Sequence, residues 1–292
     1  GCQNIAIGFQ ALYSNTYGNN NIAQGYLALY SNTIGNNNVA LGSSTLSSNS
    51  YGNNNFAAGF GSLNSNTTGS DNTSIGWGTL NSNISGGANI AIGYAAMNAN
   101  ISGNSNTAFG CCALAVNTTG SDNIAQGYKA LSSNINGNGN IAHGYQALAG
   151  NTTGNNNIAI GPSTLHNNSY GENNIALGLS ALASNTYGNQ NIAIGSSALQ
   201  CNTTGFSNIA IGNRSLVNNS YGNIAQGYNA LENNTTGSNN IAVGFRTLFC
   251  NTTGSNNIAQ GYCALKNNTT GCNNFAVGYK SLASNTTGNY NV

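Results

Sequence analysis

Residues 4–8 read Asn-Ile-Ala-Ile-Gly, and that pentapeptide returns with small variations at 21–25, 38–42 and onward to 274–278. Successive starts lie 17 residues apart from Asn4 onward, with one interval of 15 between Asn208 and Asn223. The 292 residues therefore read as a single continuous array of seventeen coils, the one at 208–222 being two residues short, with no separate caps or linkers. No other feature constrains the fold as strongly.

Numbering the leading Asn of each copy as column 1, the unit is Asn-Ile-Ala-Ile-Gly-Tyr-x-Ala-Leu-x-Ser-Asn-Thr-Thr-Gly-Asn-Asn. Asn at columns 1 and 12 and Gly at columns 5 and 15 recur in every copy. Column 9 is Leu except at Met97, column 3 is Ala except at Ser74, and column 8 is always Ala, Ser or Thr. Helical solenoid units run longer and need two amphipathic helices, which residues as helix-averse as Asn, Gly and Thr do not supply. Ile-Ala-Ile has the period of two of a strand, and recurring glycines mark turns that need positive φ. The expected fold is all-β: a parallel β-solenoid, or β-roll, in which each unit is one coil stacked on the last by backbone pairing. A contour of roughly 55 Å per coil predicts a flattened two-sided roll, and seventeen coils a rod of roughly 80 Å. One side carries columns 1 to 5, the chain turns near the column-5 glycine, and the return runs through columns 8 and 9.

Charge identifies the wet columns. Only 3% of residues are charged, against about 25% in ordinary domains. Lys129, Arg214, Arg246 and Lys280 share column 7, Glu232 and Lys266 column 10, Glu172 column 16, and Asp71 and Asp122 column 17. These four columns are expected to face solvent. The short coil is expected to lack columns 16 and 17, an exposed turn. The interior is assigned to columns 3, 8 and 9 (Ala6, Ala11 and Leu12 in the first copy). Columns 2 and 4 then point outward. Column 4 mixes Ile7 with Gln24, Gln126, Gln226, Gln260 and His143, polar groups that a narrow interior rejects. Ile5, Ile7, these glutamines and His143 are accordingly assigned to a seam between chains.

A net charge of +1 gives no electrostatic footprint for nucleic acid, and no run approaches 18 apolar residues, so no membrane insertion is expected. No signal peptide is evident, and the chain begins and ends within a repeat, as a segment of something longer would. The seven cysteines, Cys2, Cys111, Cys112, Cys201, Cys250, Cys263 and Cys272, lack metal-ligand spacing and share no column on adjacent coils. They read as free thiols, with an interchain or occasional intrachain bridge as the alternative.

At this point the residues resemble a known family. Asn-Ile-Ala-Ile-Gly-x-x-Ala-Leu is similar to the head repeat of YadA-type trimeric autotransporter adhesins, and the longer unit to shaft repeats of tail-fibre-like proteins. The resemblance implies a left-handed parallel β-roll, a homotrimer, and a fibre or adhesin-head role at a cell or virion surface.

Two further patterns carry candidate sites. Column 12 holds Asn-x-Ser/Thr sequons at Asn66, Asn83, Asn100, Asn117, Asn151, Asn202, Asn234, Asn251, Asn268 and Asn285. The Asn persists where the sequon is lost, as at Asn15, so a buried turn ladder competes with glycosylation. Column 6 is usually aromatic: Tyr26, Trp77, Tyr94, Tyr128, Tyr145, Tyr228, Tyr262 and Tyr279 form a stripe that could stack on sugars, or simply on itself. The threonines of columns 13 and 14 are too often interrupted, for example by Tyr17 and Ile84, for an ice-binding face. His143 and His166 fall in different columns and the four acids are scattered, so no catalytic constellation, metal site or cofactor site is read. The expected function is structural, a rigid extracellular filament or adhesin segment that assembles with copies of itself; the alternative is a carbohydrate-binding module using column 6.

Overall fold

The computed structural model describes residues 1–218 and 220–292. Among the described residues the secondary structure is seventeen three-residue strands and no helix. The chain divides into two units, residues 1–153 and 154–292. The first unit holds nine strands, β1 (Ile5–Ile7) through β9 (Ile141–His143), and the second eight, β10 (Ile158–Ile160) through β17 (Phe275–Val277).

Within each unit consecutive strands pair in parallel with like residues opposite one another. Ile5, Ala6 and Ile7 face Ile22, Ala23 and Gln24, and Ile158, Ala159 and Ile160 face Ile175, Ala176 and Leu177. Each unit is a β-solenoid with one repeat per coil. The strands alternate as a half-buried surface should: Ala23 is buried between exposed Ile22 and Gln24, and Ala91 is buried between exposed Ile90 and half-exposed Ile92. Alanine is the residue that lets the opposite wall of the coil approach the back of the strand.

That opposite wall contains no second strand. Columns 5 to 10 run as successive turns, with left-handed backbone at columns 7 and 9 (Leu27 φ 55° and Leu29 φ 50° in the second coil). The return through columns 8 and 9 is thus made of turns, and the coil-to-coil bonding continues through them. The Leu12 amide donates to the Ala28 carbonyl at 3.0 Å, Ser14 to Tyr30 at 3.0 Å, and Leu27 to Phe9 at 3.0 Å. A leucine at positive φ costs about 1–2 kcal/mol. The column-9 leucines from Leu29 to Leu216 are fully buried, and burying one returns about 1.5–3 kcal/mol. Columns 3, 8 and 9 form the interior as expected.

The two recurring glycines answer different demands. At column 5 the backbone is in a region closed to other residues (Gly25 φ 144°), so the expectation of positive φ holds there. At column 15 it does not: Gly35 needs no positive φ, but a Cβ there would press on the Gly52 carbonyl and on the Asn32 and Asn49 side chains. Column 15 is glycine because two coils and two amides meet at that point.

The short coil also differs from expectation. Gly222 has φ 64° and its amide donates to Phe206 O at 3.2 Å; in full coils those are the properties of column 17, as at Asn37, φ 56°, bonded to Asn19 O at 3.0 Å. Ser220 O accepts the Asn208 side-chain amide at 2.8 Å, the task of the column-15 glycine elsewhere. The two residues are therefore lost between Leu216 and Ser220, on the column-12 side of the turn, and columns 16 and 17 remain. The column-12 asparagine of this coil, Asn219, lies outside the described residues. Strand register survives the deletion, with Ile209 opposite Ile224.

Candidate functional site

Inside the coil the asparagines form two ladders. Along column 12, Asn49 Nδ2 donates to Asn32 Oδ1 at 2.8 Å and to the Gly52 carbonyl at 3.0 Å, while Asn66 Nδ2 donates to Asn49 Oδ1 at 2.8 Å. Along column 1, Asn38 donates its backbone N–H to Asn21 Oδ1 at 2.9 Å and its side-chain amide to the same Gly52 carbonyl at 2.8 Å. One glycine carbonyl thus accepts two side-chain amides, which ties together three of the four recurring positions. Buried amides need such saturation. The pattern accounts for column 12 without reference to the sequons: Asn66, Asn117, Asn151, Asn202, Asn234, Asn251 and Asn268 are fully buried and Asn285 half-buried. The nitrogen that a glycan would occupy is used inside the coil.

Asn202 Oδ1 is buried without a partner among the described residues. Nearby, Glu232 is only 8% exposed, against the expectation that column 10 is wet. It is held by Arg214, whose Nη2 lies 2.6 Å and Nε 2.8 Å from Glu232 Oε1. The other eight charged residues are exposed or half-exposed.

The strand face carries exposed apolar side chains. Ile5 (51% exposed) and Ile7 (57%) begin it, and Ile22, Phe56, Ile90 and Ile124 continue column 2 in the first unit. Gln24, Gln126 and His143 are exposed in column 4 of that unit, and Gln226 and Gln260 in column 4 of the second. All seven residues assigned to the seam therefore point away from the interior. An apolar file of this kind is unusual on a free surface.

The aromatic column stacks on itself. Phe60, Trp77 and Tyr94 form one file, with centroids 6.1 and 5.0 Å apart. Tyr128 and Tyr145 stack at 5.5 Å, Phe9 and Tyr26 at 5.6 Å. In the second unit Tyr228, Phe245, Tyr262 and Tyr279 stack at 5.1 to 5.5 Å. Sugars stack on ring faces, and within a file those faces cover one another, leaving edges and hydroxyls outward. Column-7 cations extend the files: Lys129, Arg246 and Lys280 lie 5.3 to 5.4 Å from the rings of Tyr128, Phe245 and Tyr279. In column 13, Thr16 Oγ1 donates to Thr33 O at 3.0 Å and Thr67 Oγ1 to Ile84 O at 3.1 Å, so these hydroxyls also serve the stack.

Two side-chain clusters escaped the column argument. Ser62, Ser74 and Thr79 form a buried hydroxyl triangle, with Ser62 Oγ donating to Ser74 Oγ at 2.7 Å and Ser74 Oγ to Thr79 Oγ1 at 2.6 Å. The signal was present, since Ser74 is the one departure from Ala in column 3 and both column-8 residues beside it carry hydroxyls. Cys111 and Cys112 bring their sulfurs within 3.4 Å. Burial raises the Cys112 thiol above its ordinary range, Cys111 raises it further, and Lys129 opposes both. All seven cysteines are free thiols. Among the described residues no three His, Cys, Asp or Glu side chains gather as a metal site would require. Among the described residues no helix is long and apolar enough to cross a membrane. His166 Nδ1 contacts Asn167 Oδ1 at 2.9 Å, and His143 stands apart on the strand face. No protein-family model and no curated protein matches this chain.

Proposed function

We propose that this chain is a structural protein, a segment of an extracellular fibre, filament or adhesin head that associates with copies of itself through the strand face. The observation that carries this reading is the outward file of column 2, in which Ile5, Ile22, Phe56, Ile90 and Ile124 are exposed and the half-exposed Val39, Thr73 and Thr107 stand between them. Such a face removes most apolar area from water when it meets an identical face, and column-4 glutamines can hydrogen-bond across a symmetry axis. The coils themselves are bonded for persistence rather than motion. Within each unit a coil is tied to the next through strand amides, turn amides and side-chain ladders. A homotrimer at a cell or virion surface is the arrangement favoured by the repeat's resemblance to adhesin heads. Negative-stain images test the assembly: bundles or filaments of several chains are expected, and a uniform field of single chains would overturn it. If glycans bind instead at the outward ring edges of column 6, replacing Tyr94, Tyr128 and Tyr145 by Ala abolishes glycan-array binding.

A further inference from the structure

Cys111 and Cys112 lie off the strand face, at columns 6 and 7 of one coil. In extended backbone, neighbouring side chains point to opposite faces; here Cys112 has φ 58°, and the turn brings the two sulfurs to 3.4 Å. Both thiols are half-buried.

A disulfide is a poor use of this geometry. Adjacent Cα atoms stand about 3.8 Å apart, below the roughly 4.4–6.8 Å span of ordinary disulfides. A structural zinc is a poor use as well, because it needs about four ligands and no third His, Cys, Asp or Glu joins the pair among the described residues. What two close thiols on one turn do satisfy is an acceptor that takes two sulfurs and no more. We propose that Cys111 and Cys112 form a bidentate site for a thiophilic trivalent metalloid, of the kind presented by an aryl arsenoxide. The condensation balances without an oxidant. Two As–S bonds form, the arsenic–oxygen double bond breaks, the two thiol protons leave with that oxygen as water, and arsenic stays trivalent.

The surroundings suit an aryl substituent. The file Phe60–Trp77–Tyr94 ends one coil before Cys111, and Tyr128–Tyr145 resumes one coil after it. Two coil steps leave roughly 10 Å between Tyr94 and Tyr128, the room of one absent ring. Burial, with Cys111 beside it, holds the Cys112 thiol above its ordinary range, which favours the protonated form that gives up its proton to the departing water.

The test is phenylarsine oxide added to the full chain, read by intact mass and thiol titration. One arsenic per chain with loss of two titratable thiols is expected. Cys111→Ser and Cys112→Ser should each weaken uptake by about a hundredfold or more, the usual scale of a lost second attachment, while Cys201→Ser leaves it unchanged. Since serine at Cys112 can perturb the turn, proteolytic mapping of the adduct on the unaltered chain gives an independent reading, with arsenic expected on the peptide carrying both cysteines. No uptake, uptake unaffected by both serine variants, or an adduct mapped to other cysteines would each overturn the proposal.

Discussion

Asn49 shows what a recurring residue contributes here. Its amide donates to Asn32 Oδ1 and Gly52 O, and its carbonyl oxygen accepts from Asn66, all without contact with water. Asn49→Ala strands the Asn32 Oδ1 acceptor and one Asn66 N–H donor, each costing about 1–3 kcal/mol when left unpaired in the interior, and leaves Gly52 O with the Asn38 amide alone. A loss of about 3 kcal/mol or more is expected in denaturant unfolding, and a loss under 1 kcal/mol would show that the ladder is ornamental. Asparagine succeeds where glutamine or serine would not because it presents a donor and an acceptor at one fixed reach, and the coil repeats that reach without change. The same reasoning separates the two glycines: Gly25 is required by its dihedral, Gly35 by what stands next to it.

At the scale of the coil, weakness concentrates at 208–222. Two residues are missing between Leu216 and Ser220, and Asn202 Oδ1 is buried with no hydrogen-bond partner among the described residues. Native-state hydrogen exchange should find the amides of 202–222 opening before those of 32–66, because local opening follows the number of bonds broken. Uniform protection across both stretches would contradict this. Much of the coil was legible in the sequence, since alternation at Ile22-Ala23-Gln24 and the unbroken leucine column fix which side chains turn inward. What was not legible has particular causes. The conformation of the return side was not legible because alternation cannot reveal left-handed turns at residues as ordinary as Leu27 and Leu29. The deletion was misplaced because Gly222 matches the repeat's glycine by alignment while standing at column 17 by geometry. The aromatic files were visible as a column, and stacking of that column on itself was already one of its two readings.

For the whole molecule the question is what covers the strand face. The residues assigned to a seam are all outward, and Ile5, Ile7, Ile22, Ile90 and Ile124 are between 36% and 57% exposed in the single chain. A structural role through self-association needs that face covered by another copy. Sedimentation equilibrium of the parent chain and of an Ile90→Lys, Ile124→Lys double variant tests this most directly. Both residues are outward, so the substitutions leave the interior ladders intact. The account predicts a parent mass that is a multiple of the 29.6 kDa chain, three-fold if it is a homotrimer, and a variant that sediments as a single chain. A parent that sediments at 29.6 kDa at every concentration would contradict it.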